Sequence, residues 1–339
     1  MNPINHIMPK LLKNIDLTTT ESEDVFKYLI SGEASDVEMA AFLSTLSMKG
    51  SSSDELAGAA KSLFPYVTNP LKLKINTIDI VGTGGDGLKT FNISTAVAFI
   101  VASYKKVYVA KHGNTAVSSK SGASDVLSEL GINISINDEL INKCLEETNM
   151  CFLFAPNYNK AFKYVAKVRK ELIFRTIFNL LGPLLNPVRP KRQLLGVFSD
   201  NYVVTVAKTL KALKSEKAWV VNGVDGMDEI TLTGITKVAE LDNNKINEFE
   251  INPTKYDFKL CNQEELKGGT PPENAKKMLN LFKGEKGPYR DIVLLNSAAA
   301  FCISDSVKNY EDGIDLANQL IDNGMALKTL QNLIKITNE

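Results

Sequence analysis

The sequence predicts an α/β protein: a mainly parallel sheet domain with helices on both faces, together with a smaller, discontinuous all-helical domain. The first 70 residues carry only helix signals, and from Lys72 onward short β-rich runs alternate with helical stretches. The segment from Tyr158 to Leu185 is helical again and lacks a strand, so we expect it to cross back to the N-terminal helices. The predicted domains are 1–70 with about 158–186 for the helical part, and 71–157 with 187–339 for the sheet part.

The N-terminal helices are predicted from their capping residues. A capping box is a Ser or Thr followed three residues later by Glu, where each side chain binds the other residue's backbone N–H at the start of a helix. Gly32 and Gly50 follow two of the apolar periodic stretches and are expected to end those helices. The three capping boxes are Thr20 with Glu23, Ser35 with Glu38, and Ser52 with Glu55.

Six short runs of β-forming residues are predicted strands, and the helical stretches between them favour a parallel sheet. Ligands of such sheets bind beyond the carboxyl ends of the strands. We therefore expect one cleft between the two domains, lined by loops that follow strands. The predicted strands are Thr77–Val81, Val107–Ala110, Cys151–Ala155, Leu194–Phe198, Ala218–Val221 and Asp291–Leu295.

The composition argues against several classes of function. The 339 residues include 39 basic and 39 acidic side chains, so the net charge gives no support for a nucleic-acid or anionic-membrane partner. No apolar run reaches the roughly 18 residues of a membrane span, and the first residues lack a signal peptide's apolar core, so we expect a cytoplasmic protein. The four cysteines lack a C-x-x-C spacing and the chain has two histidines, so neither a disulfide framework nor a multi-histidine metal site is expected.

A glycine-rich stretch follows the first predicted strand and precedes an apolar helical stretch. Gly82, Gly84 and Gly87 form a G-x-G-x-x-G pattern, and the free N–H groups of the helix start predict an anion site. A dinucleotide would need an acidic residue about 20 positions further on, whereas the next carboxylate after Asp86 is Asp125. Asp86 would repel a bare phosphate unless a metal ion or a sugar hydroxyl accompanies it. The pattern therefore favours a metal-bound pyrophosphate on a sugar and argues against a dehydrogenase.

A second polar stretch follows the second predicted strand. Lys111, His112 and Asn114, with the segment Ser118–Gly122, combine a lysine, hydroxyls and glycines at the end of a strand. Such a loop predicts a second phosphate site with the lysine as a point charge, although an ordinary polar loop has the same composition. His112 is interpreted as a hydrogen-bonding contact rather than a catalytic base.

Charged residues later in the chain predict a metal site and a carboxylate site. Asp228 and Glu229 follow the strand Ala218–Val221, where adjacent carboxylates suit Mg²⁺ unless they form a solvated acidic turn. Arg169 and Arg175 lie on the helical return segment, where a surface ion pair is the ordinary role. If this segment borders the cleft, Arg169 becomes a candidate clamp for a carboxylate through bidentate pairing.

Eight motifs occur in the order found in anthranilate phosphoribosyltransferases, and the chain resembles that family nearly from end to end. The resemblance implies a nucleoside phosphorylase/phosphoribosyltransferase-like fold, usually in a homodimer formed through the helical parts. It also implies Mg²⁺-dependent transfer of the phosphoribosyl group from phosphoribosyl pyrophosphate to the amino group of anthranilate, with release of pyrophosphate, a step of tryptophan biosynthesis. The motifs are Gly82–Asp86, Asn92–Thr95, Lys111–Asn114, Ser118–Ser121, Val168–Leu172, Thr176–Pro183, Asp225–Glu229 and Gly268–Ala275.

The resemblance further assigns residues to ligands, and it implies positioning and electrostatic stabilisation rather than a catalytic side chain. Phosphoribosyl pyrophosphate would contact Gly82, Gly85, Asp86, Thr90, Asn92, Ser94, Thr95, Lys111, Ser118 and Ser119. Anthranilate would contact Gly82, His112, Asn114, Arg169 and Gly182. Mg²⁺ would be held by Ser94, Asp228 and Glu229.

Some positions depart from the pattern of that family, and they bear on the acceptor and on efficiency rather than on reaction class. Thr115 stands where an arginine is common, Ala123 where a serine is common, and Asn222 where a histidine is common. Asn159 and Lys160 replace a common His-Pro pair. Two other functions of the same fold stay open: a nucleoside phosphorylase, and a nucleic-acid-binding relative, which would lack the Asp-Glu pair and carry surplus charge.

Overall fold

Four helices open the chain in the computed structural model, which describes residues 2–71, 75–115 and 121–339. Gly32 and Gly50 end the second and third of them with positive φ angles of 86° and 85°, as predicted. Their apolar faces, which include Phe26 and Phe42, are buried against one another. These helices are α1 (Pro3–Leu11), α2 (Thr19–Ser31), α3 (Asp36–Lys49) and α4 (Ser53–Leu63).

Capping boxes start three of these helices, two of them at the predicted residue. Ser35 caps α3 and Ser52 caps α4, each with the Glu three residues later. The first box differs from the prediction, because Thr18 rather than Thr20 caps α2. Both threonines have a glutamate at the required spacing, and the buried Leu17 just before Thr18 anchors the earlier start.

Seven strands form one sheet, and they are β1 (Thr77–Gly82), β2 (Tyr108–Gly113), β3 (Met150–Phe154), β4 (Arg192–Gly196), β5 (Lys217–Gly223), β6 (Thr236–Asp242) and β7 (Lys245–Ile251). Their order in space is β3-β2-β1-β4-β5-β6-β7. The first five pair in parallel, and β6 and β7 add an antiparallel edge. The first five correspond to predicted strands, whereas β6 and β7 were not predicted.

The other helices are α5 (Ile93–Ser103), α6 (Ala123–Glu129), α7 (Asp138–Thr148), α8 (Ala155–Tyr158), α9 (Ala166–Glu171), α10 (Phe178–Leu181), α11 (Val203–Ala212), α12 (Pro271–Phe282), α13 (Pro288–Ile303), α14 (Tyr310–Asp322) and α15 (Met325–Thr337). Helices cover both faces of the sheet, as predicted. Leu194 lies in the core shared with α5 and α13, and its neighbour Leu195 lies in the core shared with α2 and α11. Successive side chains of a strand point to opposite faces, so each face has its own core. Within the described residues no helix combines the length and apolar character needed to cross a membrane.

The predicted strand Asp291–Leu295 is wrong, because these residues lie in helix α13. Every residue from 292 to 301 is buried, so this stretch of the helix has no solvent-exposed side. A helix of this kind has no polar face, and its sequence therefore lacks the 3.6-residue alternation that distinguishes a helix from a buried strand.

The return segment from Tyr158 to Leu185 packs on the N-terminal helices. Val165, Val168 and Phe178 lie in the same core as Phe26, and the ring centroids of Phe26 and Phe178 are 5.7 Å apart. The same core continues onto one face of β4 and β5. The segment therefore joins the helices to the sheet, while the division into two domains at the predicted boundaries stays a prediction.

Candidate active site

The glycine loop between β1 and α5 has a backbone that glycine adopts most readily. Gly84, Gly85 and Gly87 have φ angles of 67°, 74° and 84°, in the left-handed region. Gly82 meets a different constraint, because a Cβ there would lie 2.3 Å from Oδ2 of Asp228. The loop backbone can therefore approach a carboxylate from a distant part of the chain.

Asp228 and Glu229 lie between β5 and β6 and bind both elements of the predicted phosphate site. The N–H of Gly84 donates to Oδ2 of Asp228 at 2.6 Å, and the N–H of Ser94 in α5 donates to Oε1 of Glu229 at 3.2 Å. Asp228 is 9% exposed and Glu229 is 8% exposed. These two residues are therefore buried, which excludes the solvated acidic turn.

The carboxylate pair is electrostatically unfavourable without a cation. Burial raises the pKa of Asp228 to about 7, and the charge of Asp86 adds to the increase. Burial also raises the pKa of Glu229 to about 8, with a further contribution from Asp228. Across the described ranges, no group of three or more His, Cys, Asp or Glu side chains could hold a metal ion. One or two carboxylates together with substrate phosphates are, however, the usual ligands of Mg²⁺.

Lys111 is buried in strand β2 rather than exposed in the predicted loop, and it interacts electrostatically with the pair. Its Nζ donates to the carbonyl of Ile80 at 2.6 Å and to Oγ of Ser94 at 3.1 Å. Burial lowers the pKa of Lys111, and the charges of Asp79 and Glu229 oppose that change. The lysine thus compensates part of the negative charge, while its direct contact with a phosphate stays a prediction.

The start of α5 brings several predicted phosphoribosyl contacts together. Nδ2 of Asn274, in α12, donates to Oδ1 of Asn92 at 2.9 Å, and Thr90 pairs with the segment just before α12. The hydroxyl of Thr95 is buried and has no hydrogen-bond partner among the described residues. Buried hydroxyls normally have one, so this oxygen is suited to a ligand. Two predicted contacts lie outside the described residues: Ser118 and Ser119.

Arg175 connects the glycine loop to the return segment. Its guanidinium donates to the carbonyl of Gly85 and lies 4.4 Å from the ring centroid of Phe198. The sequence pattern indicated a surface ion pair for this arginine instead. The contact with Gly85 spans 90 positions of the chain, and no local pattern indicates it.

His112 lies near the end of β2, and two other residues predicted to contact anthranilate, Gly182 and Asn114, lie near it. Burial lowers the pKa of His112 to about 4, so the ring is neutral at physiological pH. The backbone of Gly182 hydrogen-bonds the ring, and a Cβ on Gly182 would meet no atom within 4 Å. Nδ2 of Asn159 lies 3.3 Å from Nε2 of His112. Asn114 is exposed, and its Oδ1 accepts a hydrogen bond within its own turn, from the N–H of Thr115 at 2.8 Å.

Arg169 lies between two aromatic rings. Its guanidinium carbon is 5.4 Å from the ring centroid of Phe162 and 5.2 Å from that of Phe178. Burial lowers its pKa, and no carboxylate among the described residues opposes that effect. The surface ion pair is therefore not supported. A largely buried guanidinium without an anionic partner is suited to a ligand's carboxylate.

Asp79 and Asn186 belong to the site, although no sequence motif marked them. Oδ1 of Asp79 accepts from the N–H of His112 at 3.2 Å, and Oδ2 accepts from Nδ2 of Asn186 at 2.8 Å. Burial raises the pKa of Asp79 to about 6. An aspartate inside an apolar strand is rare, and that rarity was the available signal.

Asn222, one of the departures from the family pattern, has a structural role. Its Nδ2 donates to the carbonyl of Val197 at 2.7 Å and to that of Met227 at 3.3 Å. It therefore ties the end of β5 to the residue just before Asp228.

Comparison with known proteins covers nearly the whole chain. Residues 5–64 match the helical bundle domain of the Glycosyl transferase family, and residues 74–327 match the a/b domain of that family. The anthranilate phosphoribosyltransferase of Acetivibrio thermocellus is 44% identical, over 97% of this chain and 95% of the relative. That of Methanobrevibacter smithii is also 44% identical, over 99% of both chains.

Solved structures agree with these sequence matches. The anthranilate phosphoribosyltransferase from Thermus thermophilus has a TM-score of 0.92 and 35% identity, covering 100% of both chains. The Saccharomyces cerevisiae enzyme, solved in complex with PRPP and Mg, has a TM-score of 0.88 and 28% identity, covering 99% of this chain and 98% of that one.

Proposed function

We propose a specific reaction for this chain, which belongs to the anthranilate phosphoribosyltransferase family and is an enzyme that transfers a phosphoribosyl group. The group passes from phosphoribosyl pyrophosphate to the amino group of anthranilate, with Mg²⁺ and with release of pyrophosphate, as a step of tryptophan biosynthesis. The observation that carries the proposal is the buried pair Asp228 and Glu229, hydrogen-bonded to both the glycine loop and the start of α5. Two carboxylates beside a helix N-terminus suit a metal-bound polyphosphate.

The carboxylate pair supports the Mg²⁺ part of the proposal. Burial is the main cause of the raised pKa values of Asp228 and Glu229, and the nearby charge of Asp86 adds to both. These two side chains and the hydroxyl of Ser94 would hold the ion. When bound, Mg²⁺ would stabilise the charge that develops on the departing pyrophosphate.

The environment of Arg169 supports an acceptor with a carboxylate. Its guanidinium would pair with that group, and the rings of Phe162 and Phe178 hold it in place. The anthranilate nitrogen then attacks C1 of the ribose, the bond from C1 to the pyrophosphate oxygen breaks, and the nitrogen loses one proton. With an oxocarbenium-like transition state, positioning and charge stabilisation suffice, which is consistent with the neutral His112.

The assembly and location of the protein are also proposals. Three side chains on or next to the N-terminal helices, Leu12, Val37 and Met48, are 70%, 78% and 90% exposed. We propose a homodimer formed through the helical part, with these exposed apolar residues as candidates for its contact surface. We further propose a cytoplasmic location and the domain division 1–70 with 158–186 against 71–157 with 187–339.

The two alternative functions are less well supported. A nucleic-acid-binding relative was expected to lack the carboxylate pair, which is present and buried. A nucleoside phosphorylase uses phosphate and a nucleoside, and it has no use for a carboxylate clamp such as Arg169.

A fluorescence assay for phosphoribosyl-anthranilate formation tests the proposal. We expect turnover that requires both substrates and stops when a chelator removes Mg²⁺. Parallel incubation with nucleosides and inorganic phosphate should give no phosphorolysis. Nucleoside cleavage without anthranilate turnover would overturn the proposed reaction in favour of a phosphorylase.

A further inference from the structure

We infer that Asn159 is a positioning residue for the amine acceptor: its amide NH₂ holds His112 in the Nδ1–H tautomer, and its Oδ1 accepts a hydrogen bond from the acceptor's amino group. The inference rests on the proposed function, because it takes the acceptor to be an aromatic amine. Asn159 follows α8, where the family commonly has a histidine, and it was noted only as a departure from the pattern.

The contacts of His112 determine its tautomer. The hydrogen bond with the backbone of Gly182 raises the pKa of the ring, so it is the carbonyl that accepts from a ring N–H. Nε2 faces Nδ2 of Asn159 at 3.3 Å. A neutral imidazole has one N–H and one acceptor nitrogen, so the hydrogen lies on Nδ1 and Nε2 accepts from the amide.

The same contacts determine the orientation of the Asn159 amide. With Oδ1 turned toward Nε2, the amide NH₂ would take the place of the unpaired buried oxygen and would be left without an acceptor among the described residues. The orientation with NH₂ toward His112 satisfies both contacts. Both nitrogens of His112 are then occupied, so this histidine cannot accept a proton or a hydrogen bond from a substrate amine.

The orientation leaves Oδ1 of Asn159 available for a ligand. This oxygen is buried and has no hydrogen-bond partner among the described residues. Buried amide oxygens are normally paired, and an unpaired one indicates a ligand or a water. Asn159 contacts His112, which in turn contacts Gly182, a residue that faces open space.

The amide oxygen of an asparagine suits an aromatic amine better than a charged side chain does. The amine is a hydrogen-bond donor with a lone pair that must stay free for attack on C1. Accepting one N–H orients that lone pair without protonating the nitrogen. Arg169 would hold the carboxylate and Asn159 the amine, so the two residues together recognise the two substituents of anthranilate.

Nitrogen NMR of ¹⁵N-histidine-labelled protein tests the tautomer without any substrate. The chain has two histidines, and His6 is exposed, so His6→Gln assigns the signals. We expect a neutral Nδ1–H ring for His112 at pH 6 to 8. In Asn159→Asp the carboxylate favours a protonated ring, so the His112 signals should shift to the charged form, whereas Asn157→Asp, on the exposed part of α8, should leave them unchanged. An Nε2–H tautomer in the wild type would overturn this half of the inference.

Calorimetry with anthranilate and with benzoate, which lacks the amino group, tests the contact with the amine. We expect Asn159→Ala to lose about three- to tenfold in affinity for anthranilate and to keep its affinity for benzoate. Arg169→Ala should weaken both ligands. If Asn159→Ala lowers the melting temperature strongly, Asn159→Ser serves instead.

The outcomes separate this inference from the proposed function. An unchanged preference for anthranilate over benzoate in Asn159→Ala, together with normal turnover by the wild type, would overturn the role of Asn159 alone. Failure of the wild type to bind either ligand would overturn the proposed acceptor and the amine contact together, while the NMR result would still decide the tautomer.

Discussion

The site has a phosphate side, around the glycine loop, and an acceptor side, around His112 and Arg169, and the charged groups on the two sides differ in sign. Around the glycine loop, Asp86, Asp228 and Glu229 bring like charges together in a buried place. Around His112 the ring is neutral, and the positive Arg169 lies between two aromatic rings, with no carboxylate among the described residues acting on its pKa. The phosphate side contains more carboxylates than cations, with Lys111 as the buried cation, and the acceptor side contains an arginine. The comparison indicates that each half is completed by a ligand of the opposite charge.

The two sides also differ in how they are held. Backbone N–H groups of the loop and of α5 bind the carboxylates, so their position follows from the loop conformation. Arg169 is instead held by side-chain packing in the helical return segment. Substitutions on the phosphate side should therefore affect metal binding and the loop conformation together, whereas substitutions on the acceptor side should affect the binding of one ligand at a time.

The largest expected effect is that of removing both charges of the carboxylate pair. Asp228→Asn with Glu229→Gln should lower turnover by at least ~10²-fold and raise the Mg²⁺ requirement, because stabilisation of the leaving group is lost. Titrating the activity with Mg²⁺ measures both the turnover and the Mg²⁺ requirement. The control is Glu248→Gln with Glu250→Gln on the exposed edge strand β7. Normal activity of the test variant at limiting Mg²⁺ would remove the pair from the metal site.

The next largest effect is expected from substituting Arg169, the proposed clamp for the carboxylate of the acceptor. Arg169→Ala should raise the KM for anthranilate about ten- to hundredfold and leave the KM for phosphoribosyl pyrophosphate nearly unchanged. Arg169→Lys should recover only part of the loss, since an ammonium lacks the planar fork. Arg189→Ala, an exposed arginine stacked on Phe64, is the matched control. Equal changes in both KM values would contradict the separation of the two sides.

A smaller effect is expected from a methyl group in the glycine loop. Gly82→Ala would place a Cβ against Oδ2 of Asp228 and should weaken metal binding by roughly tenfold. Gly87→Ala meets no atom within 4 Å and adds only the strain of a φ of 84°. Calorimetric titration of both variants with Mg²⁺ and phosphoribosyl pyrophosphate compares them. If Gly87→Ala proved the more harmful, backbone strain rather than the contact with Asp228 would govern the loop.

The smallest effect concerns stability and pH. The folded pKa values of about 7 for Asp228 and about 8 for Glu229 lie above those of ordinary carboxyls, so the folded state binds more protons than the unfolded state near neutrality. The contribution of the pair to stability without metal should be fully present below about pH 4, the ordinary pKa range of carboxyls, and should be lost as pH rises from there through about 8. Melting temperatures with a chelator measure this decline, which the double substitution Asp228→Asn with Glu229→Gln should flatten. A rise in stability over that range would show that other groups of the protein already compensate the negative charge of Asp228 and Glu229.

Much of the architecture was predictable from sequence because it depends on local patterns. The five parallel strands and the boxes at Ser35 and Ser52 follow from short-range periodicity and spacing. Local patterns failed where they were degenerate. Four of the five residues in the run Asp291–Leu295 are apolar, which fits a buried strand and a buried helix equally. Two threonines near the start of α2 offered the same capping spacing.

The chemical groups of the site can be read from the amino-acid order alone: a glycine loop, a carboxylate pair, a lysine and a clamp-forming arginine. Their charge states and contacts depend on the folded chain. Burial raises the pKa values of Asp228 and Glu229, and the fold turns Lys111 inward and places Arg169 between aromatic rings. The Asn159 contact with His112 joins residues 47 positions apart. Charge state and hydrogen-bond partner depend on the dielectric environment and on neighbours distant in the chain, and no local pattern encodes either.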